Sequence, residues 1–129
     1  MPFARISLRQ GHSPEFLRAM SDSLHSALVE CFDVPEADLF QLIHQHAPGE
    51  MVCDRHYLGG PRSEDFVLIH LTAGKPRSVA TKQAFYRRLA ERLSQSPGLA
   101  PANLMVVIQH NQAEDWSFAD GKANLVTYN

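Results

Sequence analysis

The sequence predicts an α/β fold (α+β in the segregated sense) made of duplicated βαβ units. They form a four-stranded mixed sheet with two helices on one face. Three observations carry this. Apolar residues alternate with period two in some stretches and recur every three to four residues in others. These stretches follow one another as strand, helix, strand, and then the same order again. Local signals also repeat at an offset of about 65 residues: Ala37-Asp38-Leu39 with Ile43 against Ala102-Asn103-Leu104 with Ile108, after Pro35 and Pro101 respectively. At 129 residues the chain fits one domain, with repeat 1 at about 2–64 and repeat 2 at about 65–129.

The first strand is read at residues 2–8, where Ala4, Ile6 and Leu8 share a face. Gly11 ends it. Ser13-Pro14-Glu15 then supplies an N-cap, a proline in the first helical position and an acidic first turn. Phe16, Leu17, Met20, Leu24, Ala27, Leu28 and Cys31 continue as an amphipathic helix of about five turns. Val34-Pro35 stops it, and Leu39 to His46 is the second strand candidate. Residues 47–64 carry turn chemistry at Pro48-Gly49 and Gly59-Gly60-Pro61, with a short extended piece between.

The second half opens with Phe66 to Leu71, a nearly continuous apolar run expected to be covered on both faces. Ser78 is the next N-cap, and a helix follows to about Ser94 through Phe85, Tyr86, Leu89 and Leu93. After Pro97-Gly98, Leu104 to Ile108 reads as another buried strand, and Leu125–Tyr128 as a short one in the tail. Two helices on one face leave the other sheet face bare and, by this count, too apolar for water. A closed ring of subunits would cover it.

Composition narrows the function classes. A hydrophobic fraction of 44% and a charged fraction of 20% suit a packed core. A net charge of −2 argues against nucleic acid as a partner. Cys31 and Cys53 have no CxxC spacing and suit thiols of a reducing compartment. With no apolar run of membrane length and no secretory leader pattern, a cytoplasmic protein is expected. His44 and His46 share a strand face, with His110 similarly placed in the other half, but no HExxH-like spacing accompanies them or His70. Structural or interface roles are expected, with no metal and no cofactor.

Pro2 offers the most distinctive chemistry. Inside a chain a proline has no N–H and no basicity. Removal of Met1, which a small second residue permits, makes it a secondary amine. A free α-amino group titrates at about 7.7–8, within reach of acid–base work, and it can attack a carbonyl. Pro at position 2 is also common in chains that make no use of it.

Four stretches join Pro2 in one pattern: Gln45-His46-x-Pro48-Gly49-Glu50-Met51-Val52, Lys75-Pro76-Arg77-Ser78, Phe85-Tyr86 and Asp115-Trp116-Ser117-Phe118. With the βαβ duplication, they make the chain resemble the tautomerase superfamily, and within it the malonate semialdehyde decarboxylase branch, over nearly its whole length. That resemblance implies Pro2 as catalytic residue and an arginine pair flanking a proline as carboxylate ligand, here Arg77 with Lys75 at the other position. It also implies Asp38 in the site, Trp116 and Phe118 as its aromatic pair, and a homotrimer. Lys75 departs from the pattern, which has arginine there.

The residues themselves allow more than one role. Arg77 precedes a helix cap, where a carboxylate would meet a guanidinium fork and a helix N-terminus together; an isolated Arg more often pairs with a surface acid. Lys75 attracts an anion but orients it less well, and alone it suits a solvated loop. Asp38 is either a turn residue, as its counterpart Asn103 suggests, or a group that polarises water or stabilises a protonated Pro2. Trp116 and Phe118 serve as core or trimer contacts, or as pocket walls that exclude water. The expected activity is decarboxylation of a small 3-oxo acid such as malonate semialdehyde. The alternatives are keto–enol tautomerisation of 2-oxo acids such as phenylpyruvate, and ligand binding without catalysis on the same scaffold.

Overall fold

The computed structural model describes residues 2–126. Strand β1 (Pro2–Arg9) leads through helix α1 (Pro14–Phe32) to β2 (Gln41–His46). After the irregular stretch, β3 (Val67–Ala73) leads through α2 (Val79–Gln95) and a 3-10 turn at Pro101–Asn103 to β4 (Leu104–His110). A second 3-10 turn, Ala113–Asp115, begins the tail. The sheet order is β2-β1-β3-β4. β1 runs parallel to β2 and β3 parallel to β4, while β1 and β3 pair antiparallel at the centre. Each βαβ unit thus contributes one half of a mixed sheet.

Local chemistry sets the helix ends. Ser13 accepts a hydrogen bond from the Phe16 N–H at 3.0 Å, and Ser78 accepts one from Thr81 at 3.1 Å, so both serve as N-caps. α1 ends at Asp33, whose φ of 54° is left-handed, a conformation that short polar side chains tolerate better than bulky ones.

The core lies between the helices and one sheet face. Ala4, Ile6 and Leu8 of β1 and Val67, Ile69 and Leu71 of β3 pack against Met20, Leu24, Leu28, Phe85, Leu89 and Leu93. Outside it, Glu30 of α1 accepts hydrogen bonds from Arg88 and Arg92 of α2 and ties the helices together.

Burial and strand bounds differ from the expectations. β3 is fully buried on its helix-facing side only; Leu68, His70 and Thr72 alternate with that side and keep partial exposure. β4 is not a buried strand, since it forms a sheet edge and Met105 is 44% exposed. The open face is mixed rather than apolar: the register sets Arg5, His44 and His70 among Leu42, Met105 and Val107. Long apolar runs cannot reveal this, because they do not say which face a helix will cover. β2 also starts at Gln41, two residues later than read, leaving Leu39 and Phe40 exposed beside it. The strand expected at Leu125–Tyr128 extends beyond the described residues, and Leu125 itself lies in a turn. Among the described residues, no helix is long and apolar enough to cross a membrane.

Candidate active site

Strand register brings four segments to one end of the sheet. Pro2, buried at the start of β1, stands opposite Ala73 at the end of β3. On the β2 side, the Ala4 N–H donates to the Phe40 carbonyl at 3.0 Å, which holds the segment after Asp38 beside β1. On the β4 side, the Asn111 N–H donates to the Ala73 carbonyl at 3.0 Å and leads the chain towards Trp116. Past Ala73, the loop Gly74–Arg77 runs into the Ser78 cap of α2.

At this end lies a cleft of about 400 Å³, lined by Phe32, Asp33, Pro35, Asp38, Lys75, Arg77, Phe118 and Leu125. Lys75, Arg77 and the N-terminus of α2 bring positive charge or positive dipole, and Asp33 and Asp38 bring carboxylates. Arg77 is half-buried. Its Nη1 donates to the Lys75 carbonyl at 2.7 Å and its Nη2 to the Phe32 carbonyl at 3.1 Å. Its Cζ lies 4.7 Å from the centre of the Phe32 ring. Burial pushes the Arg77 pKa down from the ordinary arginine value, but a guanidinium starts so high that it stays charged. Lys75 contributes its carbonyl to this arrangement while its side chain is exposed.

The aromatic pair forms a wall. Trp116 stacks on Phe118 with ring centres 5.6 Å apart and planes 14° apart, and its indole N–H donates to Asn111 Oδ1 at 2.6 Å. Phe118 also meets the Phe40 ring at 5.6 Å, and its backbone N–H donates to Asn124 Oδ1 at 2.7 Å. Phe118 thus lines the cleft and Trp116 backs it.

Of the residues singled out in the sequence, Asp38, Lys75, Arg77 and Phe118 share the cleft. Pro2 sits at the neighbouring strand end rather than among the lining residues. Sequence reasoning passes over Phe32 and Asp33, where the one available signal is the stop of the helix before Pro35. Asn103, the counterpart of Asp38, is buried elsewhere: it accepts from the Ser63 N–H at 2.7 Å and donates to Ser63 Oγ at 3.0 Å. Among the described residues, no three His, Cys, Asp or Glu side chains gather as a metal site would need. A second hollow, of about 220 Å³, lies at the other end of the sheet, where Arg9 and Arg55 are engaged with Asp65 and Glu64.

Two family models described as tautomerase enzyme match the chain, one over residues 38–119 and the other over residues 2–60. Probable tautomerase YusQ of Bacillus subtilis (strain 168) is 36% identical over 126 residues, covering 98% of this chain and 99% of the relative. Probable tautomerase YrdN of the same organism is 39% identical over 127 residues and covers 98% of each. Among solved structures, a malonate semialdehyde decarboxylase superposes with a TM-score of 0.90 at 34% identity, over 95% of both chains.

Proposed function

The chain belongs to the tautomerase family of enzymes, on its malonate semialdehyde decarboxylase-like branch, and from that premise we propose that it is a cofactor-independent decarboxylase of a small 3-oxo acid. The observation that carries the proposal is the half-buried Arg77 guanidinium, tied to two carbonyls beside an aromatic wall, at the end of the sheet where Pro2 begins β1.

Loss of Met1 frees the Pro2 nitrogen. Protonated, it polarises the aldehyde carbonyl of malonate semialdehyde by hydrogen bonding; neutral, it attacks that carbonyl and, with loss of water, forms an iminium. Arg77, assisted by Lys75, binds the carboxylate so that the bond to be broken lines up with the carbonyl π system. The electrons of that bond move towards the carbonyl, CO2 leaves, and the resulting enol or enamine takes a proton at carbon, giving acetaldehyde after hydrolysis of any iminium. Asp38 stabilises the protonated Pro2 or orients water. Phe118, backed by Trp116, excludes water from the carboxylate whose charge is lost as CO2 departs.

The functional unit is proposed to be a homotrimer in a reducing, cytoplasmic setting. Leu42, Met105 and Val107 on the open sheet face are exposed within one chain. The same face carries His44, whose Nε2 is buried with no hydrogen-bond partner among the described residues. A neighbouring subunit would cover the first and satisfy the second.

The runner-up is keto–enol tautomerisation of 2-oxo acids, favoured by the two relatives named as probable tautomerases. There Pro2 works as a neutral base and the carboxylate is a handle. Incubation with malonate semialdehyde and, separately, with enol phenylpyruvate distinguishes them. Enzyme-dependent release of CO2 and acetaldehyde is expected. Rapid ketonisation of phenylpyruvate without CO2 from the 3-oxo acid would overturn the decarboxylase in favour of the tautomerase.

A further inference from the structure

Helix α1 ends with Phe32, and its last turn contains no basic residue. The final carbonyls of a helix lack intrahelical partners and carry the negative end of its dipole, so they attract a cation. Here the cation comes from a segment 45 residues further along the chain, through the 3.1 Å bond from Arg77 Nη2 to the Phe32 carbonyl. The side chain of that same residue supplies a second contact, with the guanidinium 4.7 Å over its ring, within the range of a cation–π interaction. The ring is itself held in place: Phe32 is 4% exposed and packs on Phe85 of α2 at 4.5 Å between ring centres. One residue therefore grips Arg77 by both backbone and ring, and the ring is anchored to the helix that Arg77 precedes.

The donor count shows what this grip leaves available. A guanidinium has five N–H donors. The Lys75 and Phe32 carbonyls take one each. The remaining donors can meet a carboxylate in the cleft that Phe32 and Arg77 both line. An arginine on a flexible loop spreads its fork over many orientations, and one fixed on two sides does not.

We infer that Phe32 is a positioning residue, which mounts Arg77 on the C-terminal end of α1 and so fixes how the bound carboxylate is oriented. This rests on the proposed role of Arg77 as carboxylate ligand and adds the element that aims it. Phe32 touches the guanidinium and acts through it.

The test is Phe32→Leu, which keeps the backbone carbonyl and an apolar side chain but removes the ring. Phe32→Met carries the same test if the leucine variant does not fold. Two readouts are made at equal protein concentration. In the first, the Arg77 Nε–H signal, assigned by its loss in Arg77→Lys, is followed by heteronuclear NMR with and without 3-hydroxypropanoate, a stable monocarboxylate of the substrate's carbon length. Wild type is expected to show an ordered Nε–H that shifts on addition of the acid. The variant is expected to show a mobile one with a smaller shift at saturation. In the second, steady-state kinetics on malonate semialdehyde should show kcat lowered about tenfold and KM changed no more than about threefold, as loss of orientation rather than attraction requires. A variant that only melts earlier, with an ordered Arg77 and unchanged kcat, overturns the inference and makes Phe32 an ordinary core residue. An ordered, acid-responsive Arg77 in wild type that loosens in the variant supports the mount even if neither protein releases CO2; that outcome removes only the decarboxylase reading.

Discussion

Pro2 lies opposite Ala73 in the antiparallel register of β1 and β3, so the start of β1 and the loop bearing Lys75 and Arg77 meet at the same end of the sheet. An amine at that strand end and a guanidinium four residues past Ala73 belong to distant parts of the sequence. The central pairing of the two βαβ units brings their segments together.

The first concerns the nitrogen of Pro2. A variant that retains Met1, verified by mass spectrometry, should lose nearly all turnover of malonate semialdehyde, because an amide nitrogen neither carries a proton nor forms an iminium. Its melting temperature should match wild type. Pro2→Ala, processed to a primary amine, should keep a small residual rate. Full turnover with Met1 attached would remove Pro2 from the mechanism.

The second separates Arg77 from Lys75. Arg77 is anchored by two carbonyls and the Phe32 ring, whereas Lys75 has an exposed, single-charge side chain. Arg77→Ala should lower kcat at least about tenfold, ~1.4 kcal/mol of transition-state stabilisation. Lys75→Ala should mainly raise KM and leave kcat within a few-fold. Equal effects of both variants on KM alone would mean that the carboxylate is only a handle, as tautomerisation requires.

How much of this was legible in the sequence follows from which interactions are local. The caps at Ser13 and Ser78 and the period-two face of β1 depend on neighbours a few residues apart, and they stand where the pattern puts them. The open face was misjudged because β3 and β4 read as uniformly apolar. Only the register shows that Arg5 and His70 lie opposite each other there. The cleft was legible at Asp38, Lys75, Arg77 and Phe118 through the family that the chain's motifs resemble, not through spacing alone. Phe32 and Asp33 were not, since a helix C-terminus gains its role from an arginine far along the chain.

A third prediction concerns acid stability. Hydrogen bonds from Arg92 first, and then Arg88, hold the Glu30 carboxyl below the ordinary carboxylate range. A carboxyl whose folded pKa lies below its unfolded one stabilises the fold above the unfolded pKa, and that contribution is lost as pH falls through the folded pKa. Glu30→Gln should therefore be less stable than wild type at neutral pH, with the gap closing on acidification below the carboxylate range. The pair is exposed, so added salt should also narrow the gap. Denaturant midpoints at several pH values, at fixed protein concentration, measure this. A gap that stays constant down the acid limb would mean that the ion pairs add nothing.

The fourth prediction compares Asp38 with Asn103, which stand at matching places in the two halves but do different work. Asn103 is 6% exposed and holds Ser63 through two hydrogen bonds, pinning the stretch before β3 to the turn before β4. Asn103→Ala removes both bonds, each worth about 0.5–1.5 kcal/mol, so stability should fall by about 1–3 kcal/mol. It touches nothing in the cleft, so kcat and KM of the folded enzyme should stay close to wild type. Asp38 is half-buried and lines the cleft. Asp38→Asn keeps its shape and removes its charge, so the loss should fall on kcat/KM, at least about tenfold, with only a small change in stability. Urea denaturation and steady-state kinetics on both variants give the comparison. Were Asp38→Asn to lose stability as Asn103→Ala does while turning over normally, Asp38 would be a turn residue like its counterpart, and the charge assigned to it beside Pro2 would have to come from elsewhere in the cleft, with Asp33 the next carboxylate to replace.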